Sequence, residues 1–346
     1  MFGRMMNNYY YGKSGKGDFR KEDLPQNRRQ LFTDTLKVRL SALCRINLLY
    51  MLIFLPAMLV IMFHFTSMLS YTSRRVMIEQ SADYASYAQQ FTAEDNAAET
   101  PVSEEQYNEI KNSDRNYADD LKSVLYHLLI WLIPCLAITG PFTAGLSYVT
   151  RNWARDEHAF IWSDFKDALK ENWKTSLVLS VITSVIPLLV FLGWETYGQM
   201  ASRNTIMIIP QVLVVMVAVI WAISITYMHP LAVSYELKTK DVIRNGLLLG
   251  VARLPMSVGI RLLHCLPVLI GALMILFWNP MYGMLIVFAY YVLIGFSLSR
   301  FVTASYTNAV FDRFINPRIE GAKVDRGLYK PDDEEEEEGT EGDAEN

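Results

Sequence analysis

The chain has little of what catalysis needs. Three cysteines stand in 346 residues, Cys44, Cys135 and Cys265, and no two of them are at a metal-ligand spacing. That excludes a disulfide framework and a Cys-built metal site, and it leaves the three as small apolar residues. No Walker A, G-x-S-x-G or H-E-x-x-H pattern occurs. His158 follows Asp156 and Glu157, but no nucleophile lies nearby for it to activate. The sequence therefore reads as non-enzymatic, with no cofactor and no metal. A cleavable signal peptide is also missing. The first apolar block sits behind about 45 polar residues, is too long for a signal core and has no small-x-small site after it, so it is expected to stay as a membrane helix.

What is abundant is apolar sequence in long blocks. Hydrophobic residues make up 51% of the chain, gathered in six stretches at about 46–69, 124–149, 175–194, 205–234, 256–278 and 281–305. Each is close to or above the roughly 20 residues that a hydrocarbon core about 30 Å thick requires of a helix. The fold expected is an all-α membrane protein, a six-helix transmembrane bundle over 46–315, multi-pass in the cell membrane with the lipid bilayer as its solvent. Lys and Arg crowd residues 1–45, which hold ten, with five more in 150–174 and four in 235–255, against one in 195–204. That bias puts both termini on the cytoplasmic side. The connection 71–122 between helices 1 and 2 holds five bases and eleven acids and is expected as an extracytoplasmic acidic hairpin. Its aromatic and aliphatic residues recur at helical intervals, predicting two helical extensions around a loose tip, solvated rather than a receptor.

The formal charge of −4 is a balance of opposing segments. Residues 331–346, "PDDEEEEEGTEGDAEN", carry ten acids and no base, and without them the charge rises to +6. The C-terminal segment 316–346 is expected to be a disordered acidic tail, too polar to offset its ordering entropy. Residues 1–45 form a basic cytoplasmic segment. No nucleic-acid-binding fold accompanies those bases, so no nucleic-acid partner is expected.

An ionisable group inside a span is a functional candidate by default. His64, His127, His229 and His264 lie in or beside the apolar blocks, and each reads as a packed or interfacial histidine. Glu195 and Arg261 lie near block ends, where they are expected to snorkel to water. No Asp or Glu occupies the centre of a block, which weighs against a proton- or sodium-coupled transporter. Pro187, Pro210 and Pro267 are expected to interrupt helices, which keeps transport open as an alternative.

The most informative stretch is "TGPFTAGLSYVTRNWARDEHAFIWSDFKDALKENWK", residues 139–174. Thr139, Thr143 and Ser147 recur at i, i+4 and i+8, with Gly140, Pro141 and Ala144 alongside. This is a small-residue face on which another helix packs closely. Beyond Arg151, the residues Trp162, Phe165, Leu169 and Trp173 fall on one helical face with lysines around them. They predict an amphipathic helix at the headgroup level or docked on a partner.

This stretch, preceded by "LLIWLIPCLAI", closely resembles the signature of the YesL-like bacterial integral membrane proteins over 128–178. The residues that carry the likeness are Gly140, Pro141, Ala144, Leu146, Tyr148, Arg151, Asp164, Phe165, Lys170, Asn172 and Trp173. The chain departs from the family's pattern in the acidic insertion 71–122, where the family has a short turn. The resemblance implies no catalytic residue. It implies an association, since genes of the family accompany those of sugar-uptake ABC transporters in Gram-positive bacteria. A non-enzymatic accessory or assembly subunit of a membrane transport complex is the expected function, with an ABC transporter permease or other membrane subunits as partners. The alternative is a small-solute transporter or channel in its own right.

Overall fold

The computed structural model describes residues 25–91, 101–112 and 117–328. The start of the basic segment, the tip of the 71–122 connection and the acidic run 331–346 lie outside the described residues, along with the disorder expected of them.

Every regular element among the described residues is helical. They are α1 (Arg28–Gln80), α2 (Tyr84–Gln89), α3 (Glu104–Lys111), α4 (Tyr117–Trp153), α5 (Ser163–Ala201), α6 (Ile208–Ser234), α7 (Thr239–Ala252), α8 (Leu254–Phe277), α9 (Pro280–Tyr290) and α10 (Phe296–Phe314). Six helical stretches are long and apolar enough to cross a membrane: Arg28–Gln80, Ala118–Trp153, Ser163–Ala201, Thr205–Ser234, Leu254–Phe277 and Met281–Arg318. The protein is a multi-span membrane protein. In hydrocarbon, backbone groups have no water to turn to, so apolar sequence of this length closes its hydrogen bonds within the helix.

Pro187 and Pro267 do not interrupt their helices. Both sit inside continuous α-helix, as Pro56 does in α1, and Pro210 falls in the first turn of α6. A proline removes one backbone bond, a smaller loss in lipid than unwinding a turn. The change of helix type inside the last span carries no proline. Residues Tyr291–Gly295 form a π turn between α9 and α10. Asn47 of α1 stabilises it. Its side-chain amide donates to the carbonyls of Tyr291 and Val292, both at 2.8 Å, and its Oδ1 accepts the Ser297 N–H at 2.9 Å. Asn47 is fully buried, and all three bonds replace partners that a wider turn withdraws from the regular ladder.

The chain divides into two compact units. The first holds the described parts of Met1–Ile53, Ile138–Thr183 and Met216–Asn346. Its core gathers Leu179 of α5, Tyr227, Met228 and Leu231 of α6, Val242 of α7, and Val310 and Phe311 of α10. The Tyr227 hydroxyl ties three helices together, lying 2.5 Å from Ser257 Oγ of α8 and 2.8 Å from the Tyr306 hydroxyl of α10.

The second unit comprises Phe54–Ala137 and Ser184–Val215. Its part of the 71–122 connection is a folded cap with an aromatic core of Ile78, Tyr87, Phe91 and Tyr107. Capping boxes start both short helices, Asp83 with Ser86 and Ser103 with Gln106, as helices this short require. Lys111 Nζ donates to the Ser81 and Ala82 carbonyls at 2.7 and 2.8 Å and to the Tyr107 hydroxyl at 2.7 Å. One lysine thus closes the C-terminal end of α1 onto α3.

Candidate functional site

The stretch 139–174 lies in the first unit and folds as the end of α4, a tight turn and the start of α5. Thr139, Gly140, Thr143, Ala144 and Ser147 are all buried, and Pro141 is half-buried. This chain's own helices cover them. A Cβ on Gly140 would collide with the Ser176 backbone carbonyl and Ser180 Oγ of α5, so only glycine lets the two backbones approach. The Thr143 hydroxyl donates to the Thr139 carbonyl at 2.9 Å. Its single hydrogen being used there, it accepts from the Tyr50 hydroxyl of α1 at 2.7 Å. The small-residue face is therefore spent on contacts inside the unit.

No separate amphipathic helix follows. Residues 163–174 are the first turns of α5, continuous with its span to Ala201. Asp164 Oδ2 accepts the Phe160 N–H at 2.9 Å at its start. The face expected to carry Trp162, Phe165, Leu169 and Trp173 divides. Phe165 turns inward against Gly145, and Leu169 is half-buried. Trp162 precedes the helix and is 63% exposed, as is Phe160, and Trp173 is 46% exposed. The inward side follows Phe165 and Ala168, three residues apart, and leaves the tryptophans at a rim with Lys166, Lys170 and Lys174.

Behind this rim the charged segments lock together. Trp153 is buried and donates through Nε1 to the Ala159 carbonyl at 3.4 Å. Arg151 ends α4 with its carbonyl accepting Asn308 Nδ2 at 3.3 Å. Residues 316–328 after α10 are described and make specific contacts, although the sequence groups them with the tail. Arg28 Nη2 lies 2.5 Å from a carboxylate oxygen of Asp312 and 2.5 Å from one of Asp325. Asn316 donates to Asp312 Oδ1 at 2.5 Å and accepts from the Tyr235 hydroxyl at 2.6 Å. Arg326 pairs with Glu157, and Arg155 Nη2 donates to the Lys323 carbonyl at 3.4 Å. Gly327, at φ +81°, lies against the Arg155 carbonyl where a side chain would collide. The physical reason is local: residues 316–328 carry partners for Arg28, Arg155 and Glu157.

Burial raises the Tyr235 hydroxyl to about 12, with Arg151 and Arg155 opposing and Asp312 adding to the effect. Burial also pushes the Asp156 carboxyl up against the pull of Arg39.

The ionisable groups of the apolar blocks fall into two sets. His64 and His127 satisfy Nδ1 locally, on the Val60 and Ser123 carbonyls at 2.9 and 2.7 Å. Glu195 meets Lys122 Nζ at 3.0 Å, and both side chains keep some solvent. Arg261, also expected to snorkel, has a buried Nε with no hydrogen-bond partner among the described residues. It acts electrostatically on His229 and His264, as does Arg300. Sequence reasoning missed Arg300 because it stands near the end of the last apolar block, where one arginine looks like a boundary. Its position seven residues before Thr307 in a helix ending at Phe314 was the available signal. Among the described residues, no three His, Cys, Asp or Glu side chains gather as a metal site would require.

Residues 124–194 match the model of a family described as "Protein of unknown function, DUF624". That match encloses the 128–178 stretch that resembles the YesL-like proteins. No match to the chain was found among curated proteins or among solved structures.

Proposed function

We propose that the protein is a non-enzymatic accessory or assembly subunit of a membrane transport complex, and that the complex is a carbohydrate-uptake ABC transporter. In this reading both termini and the connections 150–174 and 235–255 face the cytoplasm. The observation that supports it is the rim of Phe160, Trp162 and Trp173, exposed large aromatics on a segment that the Arg326–Glu157 pair and the Arg155–Lys323 hydrogen bond tie to the chain after α10. Aromatic side chains on a pre-ordered surface are good docking anchors, because little entropy is lost when they are covered. The small-residue face does not support docking, since α1 and α5 already cover it.

The test is gentle extraction from native membranes with a tag ahead of residue 31, followed by identification of what accompanies the protein. Permease or ATPase subunits at near-equal amounts, lost in Trp162→Ala/Trp173→Ala, are expected. A protein that migrates alone, and whose deletion leaves sugar uptake unchanged, would sink the reading. A second reading, a solute carrier in its own right, draws on one observation: basic side chains in three spans on which, among the described residues, no carboxylate acts.

A further inference from the structure

We propose that Arg261, Arg300, His229 and His264 form a binding site for a phosphate-type oxyanion among the spans of the first unit. The anion comes either from a lipid headgroup or from a free solute. The site stands whether the protein is a subunit or a carrier.

The four groups sit on three helices, His229 on α6, Arg261 and His264 on α8, and Arg300 on α10. The Tyr227–Ser257–Tyr306 hydroxyl cluster joins those helices. A second bond fixes α8 to α10: His264 Nε2 lies 3.1 Å from the Ser299 carbonyl. A carbonyl only accepts, so Nε2 carries the proton there. Thr303 Oγ1 gives its hydrogen to the Ser299 carbonyl at 2.8 Å and stands 3.3 Å from the same Nε2. His264 is thus held with Nδ1 left over, and Nδ1 is buried with no partner among the described residues. His229 is 3% exposed, and its Nδ1 is likewise buried and unpartnered. So is Arg261 Nε.

Charge completes the case. Arg300 acts on Arg261, and both arginines act on the two imidazoles. Among the described residues, the other ionisable groups acting on the two arginines are Cys265 and Tyr50, and no carboxylate acts on any of the four. Like charges brought together away from water repel each other and lose hydration, so such a cluster is costly unless an anion joins it. Two guanidinium forks offer more N–H groups than a halide or a single carboxylate uses. A tetrahedral oxyanion, with several acceptor oxygens, matches them. Arg261, His264 and Arg300 are half-buried rather than sealed, which leaves an approach. Leu262, Leu263 and Leu266 are exposed beside them, as suits a lipid-facing entry.

The full chain, purified in phosphate-free maltoside detergent, would be tested in two arms. One measures binding of radiolabelled orthophosphate. The other adds phosphatidylglycerol or phosphatidylcholine and reads retained lipid by native mass spectrometry. Binding of at least one probe is expected to weaken roughly tenfold or more in Arg261→Gln and in Arg300→Gln, the loss that goes with one charge-assisted hydrogen bond. Saturable orthophosphate binding identifies a free oxyanion as the source. Retention of phosphatidylglycerol without orthophosphate binding identifies a headgroup. If the glutamine variants are not monodisperse, Arg300→Lys keeps the charge, removes the fork and is expected to bind severalfold more weakly. Failure of monodisperse wild-type protein to bind either probe overturns the proposal. So does binding that none of these variants weakens.

Discussion

Arginines are provided for in two opposite ways, one seen in both units and the other in the first. In the second unit Arg75 lies 2.8 Å from Glu79 and 3.2 Å from Asp120. In the first, Arg28 has the same provision from Asp312 and Asp325. Arg261 and Arg300, also in the first unit, have no carboxylate acting on them among the described residues. The difference separates cations that rigidify a fold from cations held open. A charge whose counter-ion is in the chain fixes two segments at once. A charge without one keeps the capacity to bind something from outside, at the expense of stability while nothing is bound.

The sharpest way to break that distinction is to remove the carboxylate from a paired cation. Asp312 is almost completely buried, and it also accepts from Asn316 and from the Asp325 backbone N–H. Asp312→Ala should destabilise the protein by about 2–3 kcal/mol, somewhat below the usual cost of orphaning a buried partner because Arg28 keeps some solvent. Thermal unfolding in detergent would read it, with residues 316–328 becoming sensitive to protease. An unchanged midpoint would mean that this cluster is ornamental and the comparison empty.

Asp120→Ala applies the same cut to the second unit. There Asp120 holds Arg75 and accepts from the Tyr71 hydroxyl, and Arg75 retains Glu79. With a partner left over, the loss should be about 1–2 kcal/mol. Hydrogen exchange should localise it to α3 and the end of α1, leaving α6 and α10 protected. Arg300→Gln should go the other way. In delipidated, phosphate-free detergent it removes an uncompensated charge and should leave the midpoint unchanged or raise stability by up to about 1 kcal/mol. A clear loss there would show that Arg300 has a structural role like that of Arg28.

What could be read from the sequence tracks how local each cause is. A span needs only its own apolar run, so Leu254–Phe277 was legible as the block 256–278. The close approach at Gly140 was legible as a small-residue face, but its partner Ser176 was not, since another chain would have fitted equally well. Asn47 reads as a stray amide in an apolar block until the π turn 244 residues later comes beside it. Nothing in "YVLIG" marks that turn. The tyrosines at 84, 87 and 107 showed helical spacing, yet their meeting in one core depends on the chain doubling back. Arg300 was opaque for the same reason: its importance lies in which residues of α6 and α8 are near it.

The smallest effect concerns the reverse imbalance, an anion with too little cation. Asp156 sits in the turn between α4 and α5 at φ 56°, and burial raises its carboxyl above the usual value against the opposing pull of Arg39. A raised carboxyl means that the folded protein holds the proton more tightly than the unfolded chain does. The ionised form therefore weakens the fold above the raised value. That cost fades as pH falls through it and is gone below the ordinary carboxylate range. Asp156→Asn removes the charge and keeps a residue that tolerates the left-handed region. The carboxyl is crowded by surrounding protein but the residue keeps broad access to solvent, so screening limits the effect and the gain at pH 7 should stay below about 1 kcal/mol. Unfolding midpoints of the two proteins should converge as pH is lowered from 7 towards 4. If they diverge instead, Arg39 governs Asp156 more strongly than burial does, and this acid joins the paired set with Asp312 and Asp120.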